Sequence, residues 1–304
     1  VQEKAGVSST KNFVKIPNQW FAVDSGQSFS TIYGEKGLVL LIRMLQQINR
    51  RGQYIITEHH IKEWFQYNHS RYYKGIFQIL DLFKQDEIFL FEQDYDFNTM
   101  FRGLISFQPA PILLSSEKFF FLYDYEVDSI LINYDGNMDK YKLLSLFACL
   151  KFHYNMQTKL CSPSFEVMSD ETGLSENTIQ SYLDVLVDLG LIFYGNPGTK
   201  LFPDGSVNEC NNIYTMNYGD NKALLEQEIK RVQQELAQLE KEEKLKVINS
   251  ELGNLKKSIK MRMFWLPKKL ESGKITQAEH DAQYCELQEE YDQLVEEQKS
   301  LHNQ

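Results

Sequence analysis

The hydrophobic positions between Ser162 and Phe193 fall at helical spacing, break at a glycine, resume at helical spacing and then run together as a strand. Ser164 is placed to cap a helix whose apolar side carries Phe165, Val167 and Met168. Gly173 stops it, since glycine takes the left-handed conformation past a helix end without steric cost. Ser175 caps a second helix, with Thr178 rather than Glu or Gln at the reciprocal capping position. Ile179, Tyr182, Leu183, Leu186 and Leu189 form its buried face. Gly190 ends that helix, and Leu191 to Tyr194 reads as a strand. The loop Gly195-Asn196-Pro197-Gly198 follows, with a second strand near Ile213 to Thr215.

An earlier stretch repeats this order. Glu35 to Arg51 predicts an amphipathic helix with Leu38, Leu41, Leu45 and Ile48 on one side. A short strand at Tyr54-Ile55-Ile56 and a cap at Thr57 lead into a helix bearing Ile61, Trp64 and Phe65. The next helix carries Tyr72, Ile76, Ile79, Leu80 and Phe83, and strands follow at Ile88 to Phe91 and Leu104 to Phe107. At an offset of 103 residues Ile76 meets Ile179, Leu80 meets Leu183 and Phe83 meets Leu186. Trp64 likewise meets Val167 and Phe65 meets Met168, so the chain reads as a tandem pair. Pro109 and Pro111 mark the boundary. Lys118 to Ile132, rich in aromatic and β-branched residues, reads as strands. Met138 to Tyr154 opens the second unit as a helix with Leu143, Leu144, Phe147 and Leu150 inward. Phe13 to Pro17, followed by Trp20 and Phe21, is a short extended lead-in, and the polar residues 1–11 read as disordered.

From Asp220 the pattern changes. Leu225, Ile229, Val232, Leu236 and Leu239 alternate steps of four and three, a heptad seam. The seam slips through 240–246 and resumes at Leu245, Ile248, Leu252, Leu255 and Ile259. Pro267 and Gly273 break the chain, and Tyr284, Leu287, Tyr291, Leu294 and Leu301 continue the pattern on a returning helix. Folded back from Pro267, that helix reaches about as far as Leu239 at roughly 1.5 Å per residue. Leu225, Ile229, Val232 and Leu236 are then left for a second chain or for the body of the protein, and the expectation is a homodimer through them.

Helix, turn, helix and β-hairpin over residues 138–216, with the cadence Thr172-Gly173-Leu174-Ser175 and Asn177-Thr178-Ile179, resembles winged-helix DNA-binding domains. The segment from Asn12 to Phe21, ahead of a first such unit, is similar to the opening of Gram-positive plasmid replication initiators and of DnaD-type helicase loaders, proteins of bacterial mobile elements. The resemblance implies a mainly α fold with small β wings: tandem winged-helix domains at 12–111 and 112–219, then an antiparallel helical hairpin or coiled coil at 220–304. It also implies a role in DNA replication, with double-stranded DNA as partner and a replication or other protein recruited through the tail. Winged helices also serve as protein-docking modules, so an adaptor or transcriptional regulator stands as the alternative.

The net charge of −10 looks wrong for such a protein, and its distribution matters more. Residues 1–115 carry 12 Lys and Arg against 11 Asp and Glu, whereas 116–219 carry 6 against 14 and no arginine. The groove-facing candidates of the first unit are Ser70, Arg71, Tyr72, Tyr73, Lys74 and Gln78, with Arg suited to guanine, Gln to adenine and Tyr or Lys to phosphate. The second unit offers Asn177, Thr178, Gln180 and Ser181, with Lys200 on the wing, but Asp184 and Asp188 repel phosphate. At the hairpin tip Lys256, Lys257, Lys260, Arg262, Lys268 and Lys269 surround Trp265, a surface suited to a nucleic-acid strand or an acidic partner. Residues 276–304, with eight acids and one lysine, compete for it within the chain.

Four widely spaced cysteines without a C-x-x-C pair argue for a reducing, cytoplasmic setting and against a zinc site. His59 and His60 are adjacent and point apart on a helix, so no metal is expected there. Gly195 to Lys200 lacks phosphate-loop spacing, and no nucleophile or carboxylate constellation appears. The chain therefore reads as a non-enzyme with no cofactor. No apolar run reaches the roughly 18 residues of a membrane span.

Overall fold

The computed structural model describes residues 12–18, 28–51, 55–66, 73–97, 103–111, 118–202 and 206–302. Packing divides the chain into one compact unit of residues 1–197 and 211–229 and another of 198–210 and 230–304. The expected disordered stretch 1–11 lies outside the described residues, as do Trp20, Phe21 and Tyr54.

In the first half, α1 (Phe29–Arg51) is bent at Gly34, whose φ of 69° suits glycine alone, just before the expected start at Glu35. Then come β2 (Ile55–Thr57), α2 (Glu58–Phe65), α3 (Tyr73–Gln85), β3 (Phe89–Phe91) and β4 (Leu104–Pro109). The three strands form an antiparallel sheet in the order β2-β4-β3. In the second half, α5 (Lys140–His153), α6 (Phe165–Thr172), α7 (Glu176–Asp188), β6 (Ile192–Gly195) and β9 (Ile213–Met216) repeat this order. β6 pairs with β9, and Cys161 bridges to Tyr214 on the other edge through hydrogen bonds of 3.0 and 2.8 Å. The strand order of early, late, middle is thus the same in both halves.

The repeat is not uniform. α3 and α7 are each 13 residues long and start 103 residues apart, as the apolar pattern predicts. α2 and α6 do not keep that offset: their caps Thr57 and Ser164, and their left-handed ends Gln66 and Gly173, lie 107 residues apart. The segment joining α2 to α3 is four residues longer, so Ile61 and Phe65 match Met168 and Thr172. The expected matches of Trp64 with Val167 and Phe65 with Met168 are out of step. Four residues are close to one helical turn and keep a side chain on the same face, so the wrong alignment still paired apolar with apolar.

Long-range contacts fuse the halves. β1 (Phe13–Pro17) pairs antiparallel with β5 (Phe119–Tyr123), from Phe13 opposite Tyr123 to Pro17 opposite Phe119. Val14 and Ile16 are buried while Phe13 and Lys15 are exposed, the alternation of a half-buried strand up to the buried Pro17. Beyond β5 the expected strand is overturned, because Asp124–Leu131 is a helix, α4. The Tyr123 N–H donates to the Glu126 carboxylate at 2.8 Å, and Val127, Ile130 and Leu131 fall on one buried side. Helical period and a cap outweigh β-branched composition there. α5 is buried on all sides from Leu143 to Lys151, because α1 covers the face left over by α6 and α7. Ser30 Oγ meets Ser145 Oγ at 3.0 Å, and Ser28 Oγ donates to the Glu171 carbonyl at 2.6 Å.

The second unit contains the antiparallel hairpin of β7 (Thr199–Leu201) and β8 (Val207–Glu209) and most of α8 (Asn221–Glu271), against which α9 (Gln277–His302) returns. Pro267 does not break α8, contrary to expectation. It forfeits one backbone hydrogen bond, while the neighbouring Leu266 is buried with Ile259 and Leu287 and holds the helix together. The turn comes at Gly273, with φ 68°. The seam facing α9 is Leu245, Asn249, Leu252, Lys256, Ile259, Met263, Leu266 and Leu270, whereas Ile248 and Leu255 are exposed. Two heptad positions are thus polar. Gln298 of α9 answers both, donating to Asn249 Oδ1 at 3.3 Å and accepting from Lys256 Nζ at 2.5 Å.

Candidate nucleic-acid interface

The turn between α6 and α7 is held from within. Thr172 Oγ1 donates to the Met168 carbonyl at 2.5 Å and accepts from the Leu174 N–H at 3.3 Å, and Met168, Leu174, Ile179 and Leu183 are buried beneath it. Ser164 caps α6 through the Val167 N–H at 3.2 Å. Ser175 stands at the cap position of α7, but its side chain meets Thr178 Oγ1 at 2.6 Å and makes no cap hydrogen bond to the backbone.

The outward face of α7 presents Asn177 and Ser181, both exposed. Thr178 is tied to Ser175, and Gln180 is tied more firmly. Gln180 Nε2 donates to the Tyr194 hydroxyl at 2.6 Å and to Asp184 Oδ1 at 3.1 Å, while Tyr194 donates to Asp184 at 2.7 Å. Burial, and then the Asp184 carboxylate, push the Tyr194 hydroxyl above its ordinary range. Of the four expected readers on this helix, two are therefore committed inside the chain.

On α3, Lys74 and Gln78 are exposed one turn apart. Tyr73 is not a surface residue: it is buried at 3% exposure, with Lys62 Nζ 6.0 Å from its ring. Its place three residues before Ile76 and seven before Leu80 puts it on the core side, which overturns its assignment as a DNA contact. Ser70, Arg71 and Tyr72 lie outside the described residues. Lys200 is exposed on β7, its Nζ 5.2 Å from the Phe202 ring.

The tip cluster divides in two. Lys256 bonds Gln298, Lys260 Nζ lies 5.1 Å from the Tyr291 ring, and Arg262 meets Glu290 at 3.4 Å, so these three serve the hairpin itself. Lys268 lies over Phe264 and Trp265 at 4.5 and 4.3 Å, and with Lys257 and Lys269 it forms an exposed basic and aromatic surface. The expected dimer seam divides as well. Leu225 is buried, and Ile229 reaches the Gly195 backbone so closely that a Cβ there would sit 2.5 Å from its methyl. Both line a hollow with Val187, Phe193 and Tyr194, so they are partnered within the chain. Val232 and Leu236 are half-buried.

The sequence reading missed a buried polar group on α5 and α6. Cys149, His153 and Glu171 present ligand atoms all within 4.8 Å of one another. Cys149 and His153 are one helical turn apart, a spacing outside both the C-x-x-C and the paired-histidine patterns.

A family model described as a helix-turn-helix domain matches residues 142–192, from the first turn of α5 to the first residue of β6. No curated protein and no solved structure matches the chain. The matched segment contains α6, the turn and α7, and it makes DNA the partner implied by this part of the fold. Among the described residues no helix is long and apolar enough to cross a membrane.

Proposed function

We propose that the chain is a sequence-specific double-stranded DNA-binding protein built on two winged helices, with α3 and α7 as its groove-facing helices. What carries the reading is the repeated order of a helix, two further helices and two strands, the second copy of which contains the matched helix-turn-helix segment in its three helices. In such domains the helix after the turn enters the major groove and its exposed first turns read base edges. Lys74 and Gln78 on α3, and Asn177 and Ser181 on α7, are the residues so exposed. The function proposed is replication initiation or helicase loading for a bacterial plasmid or other mobile element, in the cytoplasm. It rests on the similarity of Asn12 to Phe21 and of the domain order to such proteins.

The hairpin of α8 and α9 acts in this account as an assembly tail. Val232 and Leu236 pair two chains, and Lys257, Trp265 and Lys268 meet a protein partner. The acidic face of α7, with Glu176, Asp184 and Asp188 exposed, favours a second reading in which the second winged helix docks protein rather than DNA. A nuclease-protection footprint on the replicon that encodes the protein separates the two. Protection of a discrete site supports the first reading; the absence of any protected site, with a protein recovered on α7, supports the second.

A further inference from the structure

The geometry points to a divalent metal site of the zinc class formed by Cys149, His153 and Glu171. Cys149 and His153 stand one turn apart on α5, the spacing that lets one helix offer two ligands to one ion. Glu171, in the last turn of α6, supplies the third: its Oε2 is 3.2 Å from Cys149 Sγ and 2.8 Å from His153 Nε2. Ligand atoms about 2.0–2.3 Å from a tetrahedral ion lie roughly 3.3–3.7 Å from one another, so small side-chain shifts suffice.

Charge argues for an ion more strongly than distance does. The Glu171 side chain is 7% exposed, and among the described residues His153 is the one that pairs with it. No arginine occurs from residue 103 to residue 230, and among the described residues no lysine pairs with this carboxylate. A buried carboxylate facing a thiol and an imidazole lacks a full counter-charge unless the imidazole is protonated. A divalent cation with one thiolate and one carboxylate is neutral overall. On binding, the Cys149 S–H proton leaves to solvent, as does any proton on His153 Nε2, and their lone pairs go to the metal. Thiolate, imidazole and carboxylate together suit zinc or cobalt and not magnesium or calcium. Cys161 stays outside the set, its thiol directed at the Leu150 carbonyl at 3.6 Å. His153 is partly exposed, which leaves a path for the ion and for a water in the fourth position. The ion ties the first helix of the helix-turn-helix to α5.

The test is titration of the reduced, chelator-treated full chain with Co2+, followed by optical absorption. One equivalent should produce thiolate-to-cobalt charge transfer and visible bands of four-coordinate intensity, both erased by one equivalent of Zn2+. His153→Gln, at a partly exposed position, and Cys149→Ser should each weaken binding at least ~100-fold, because loss of an outer partner alone costs roughly 10–100-fold. Cys285→Ser should titrate as the wild type does. The site is refuted if the wild type shows no thiolate charge transfer at stoichiometric cobalt, or if folded His153→Gln titrates unchanged.

Discussion

Lys74 and Asn177 occupy the same place in the two halves: each is the second residue of a 13-residue helix, and each is exposed. One turn on, Gln78 and Ser181 are again equivalent and exposed, while the intervening core positions Ile76 and Ile179 are fully buried. The two faces differ in charge, not in position. Lys74→Ala should weaken duplex binding broadly and lower the salt slope by about one, the signature of a lost phosphate contact. Asn177→Ala should cost about 1–3 kcal/mol on the cognate site only. Anisotropy titrations at several salt concentrations read both.

Gln180→Ala and Tyr194→Phe test whether the internal network, rather than DNA, holds these side chains. Each should lower stability by about 1 kcal/mol, the usual worth of a hydrogen bond, and leave duplex affinity within about twofold. A large affinity loss in Gln180→Ala without a change in stability would reassign that residue to the groove.

Tyr73→Ala should destabilise the fold by roughly 3–5 kcal/mol, as buried aromatic truncations do. Lys74→Ala, next to it, should be close to neutral in urea unfolding. Equal effects would contradict the burial of Tyr73.

Burial pushes the Cys161 thiol up to about 12. The folded value lies above the unfolded one, so the stability this group contributes is complete below the ordinary thiol range and is lost as pH rises toward 12. The slope should be about 1.4 kcal/mol per pH unit for this one proton. Burial also raises Tyr33 and Tyr218, which add to the alkaline loss above about pH 10. Urea unfolding at pH 8, 9 and 10 should show a shallower decline in Cys161→Ser than in the wild type, and identical declines would contradict the assignment.

Leu236→Asp and Val232→Asp should yield a folded monomer by light scattering. Ile229→Asp should instead disturb the packing against Gly195 and lower stability. A wild type already monomeric at tens of micromolar would contradict dimer assembly.

Local signals made the helix-turn-helix legible. Ser164, Gly173 and Gly190 punctuate it, and Ile179, Leu183 and Leu186 give α7 its period. What escaped depended on distant partners. The pairing of β1 with β5 and the burial of α5 on all sides need elements more than 90 residues apart to meet. In the hairpin, Asn249 and Lys256 hold heptad positions with polar side chains, so the apolar Ile248 and Leu255 marked the wrong face. The chemistry of Tyr73 suits a DNA contact, but its spacing from Ile76 and Leu80 places it inside. Glu171 became visible beside Cys149 and His153 only once α6 was packed on α5.

The central claim, that exposed positions on α3 and α7 read duplex DNA, is tested most directly by selecting duplexes from a random pool with the full chain. The selected site is then titrated with the wild type and with the double variant Lys74→Ala, Asn177→Ala. A discrete selected sequence, bound at least ~30-fold more weakly by a folded double variant, is the predicted result, equivalent to two lost contacts of about 1–3 kcal/mol each. No enriched sequence, or a double variant that binds as the wild type does, would contradict it.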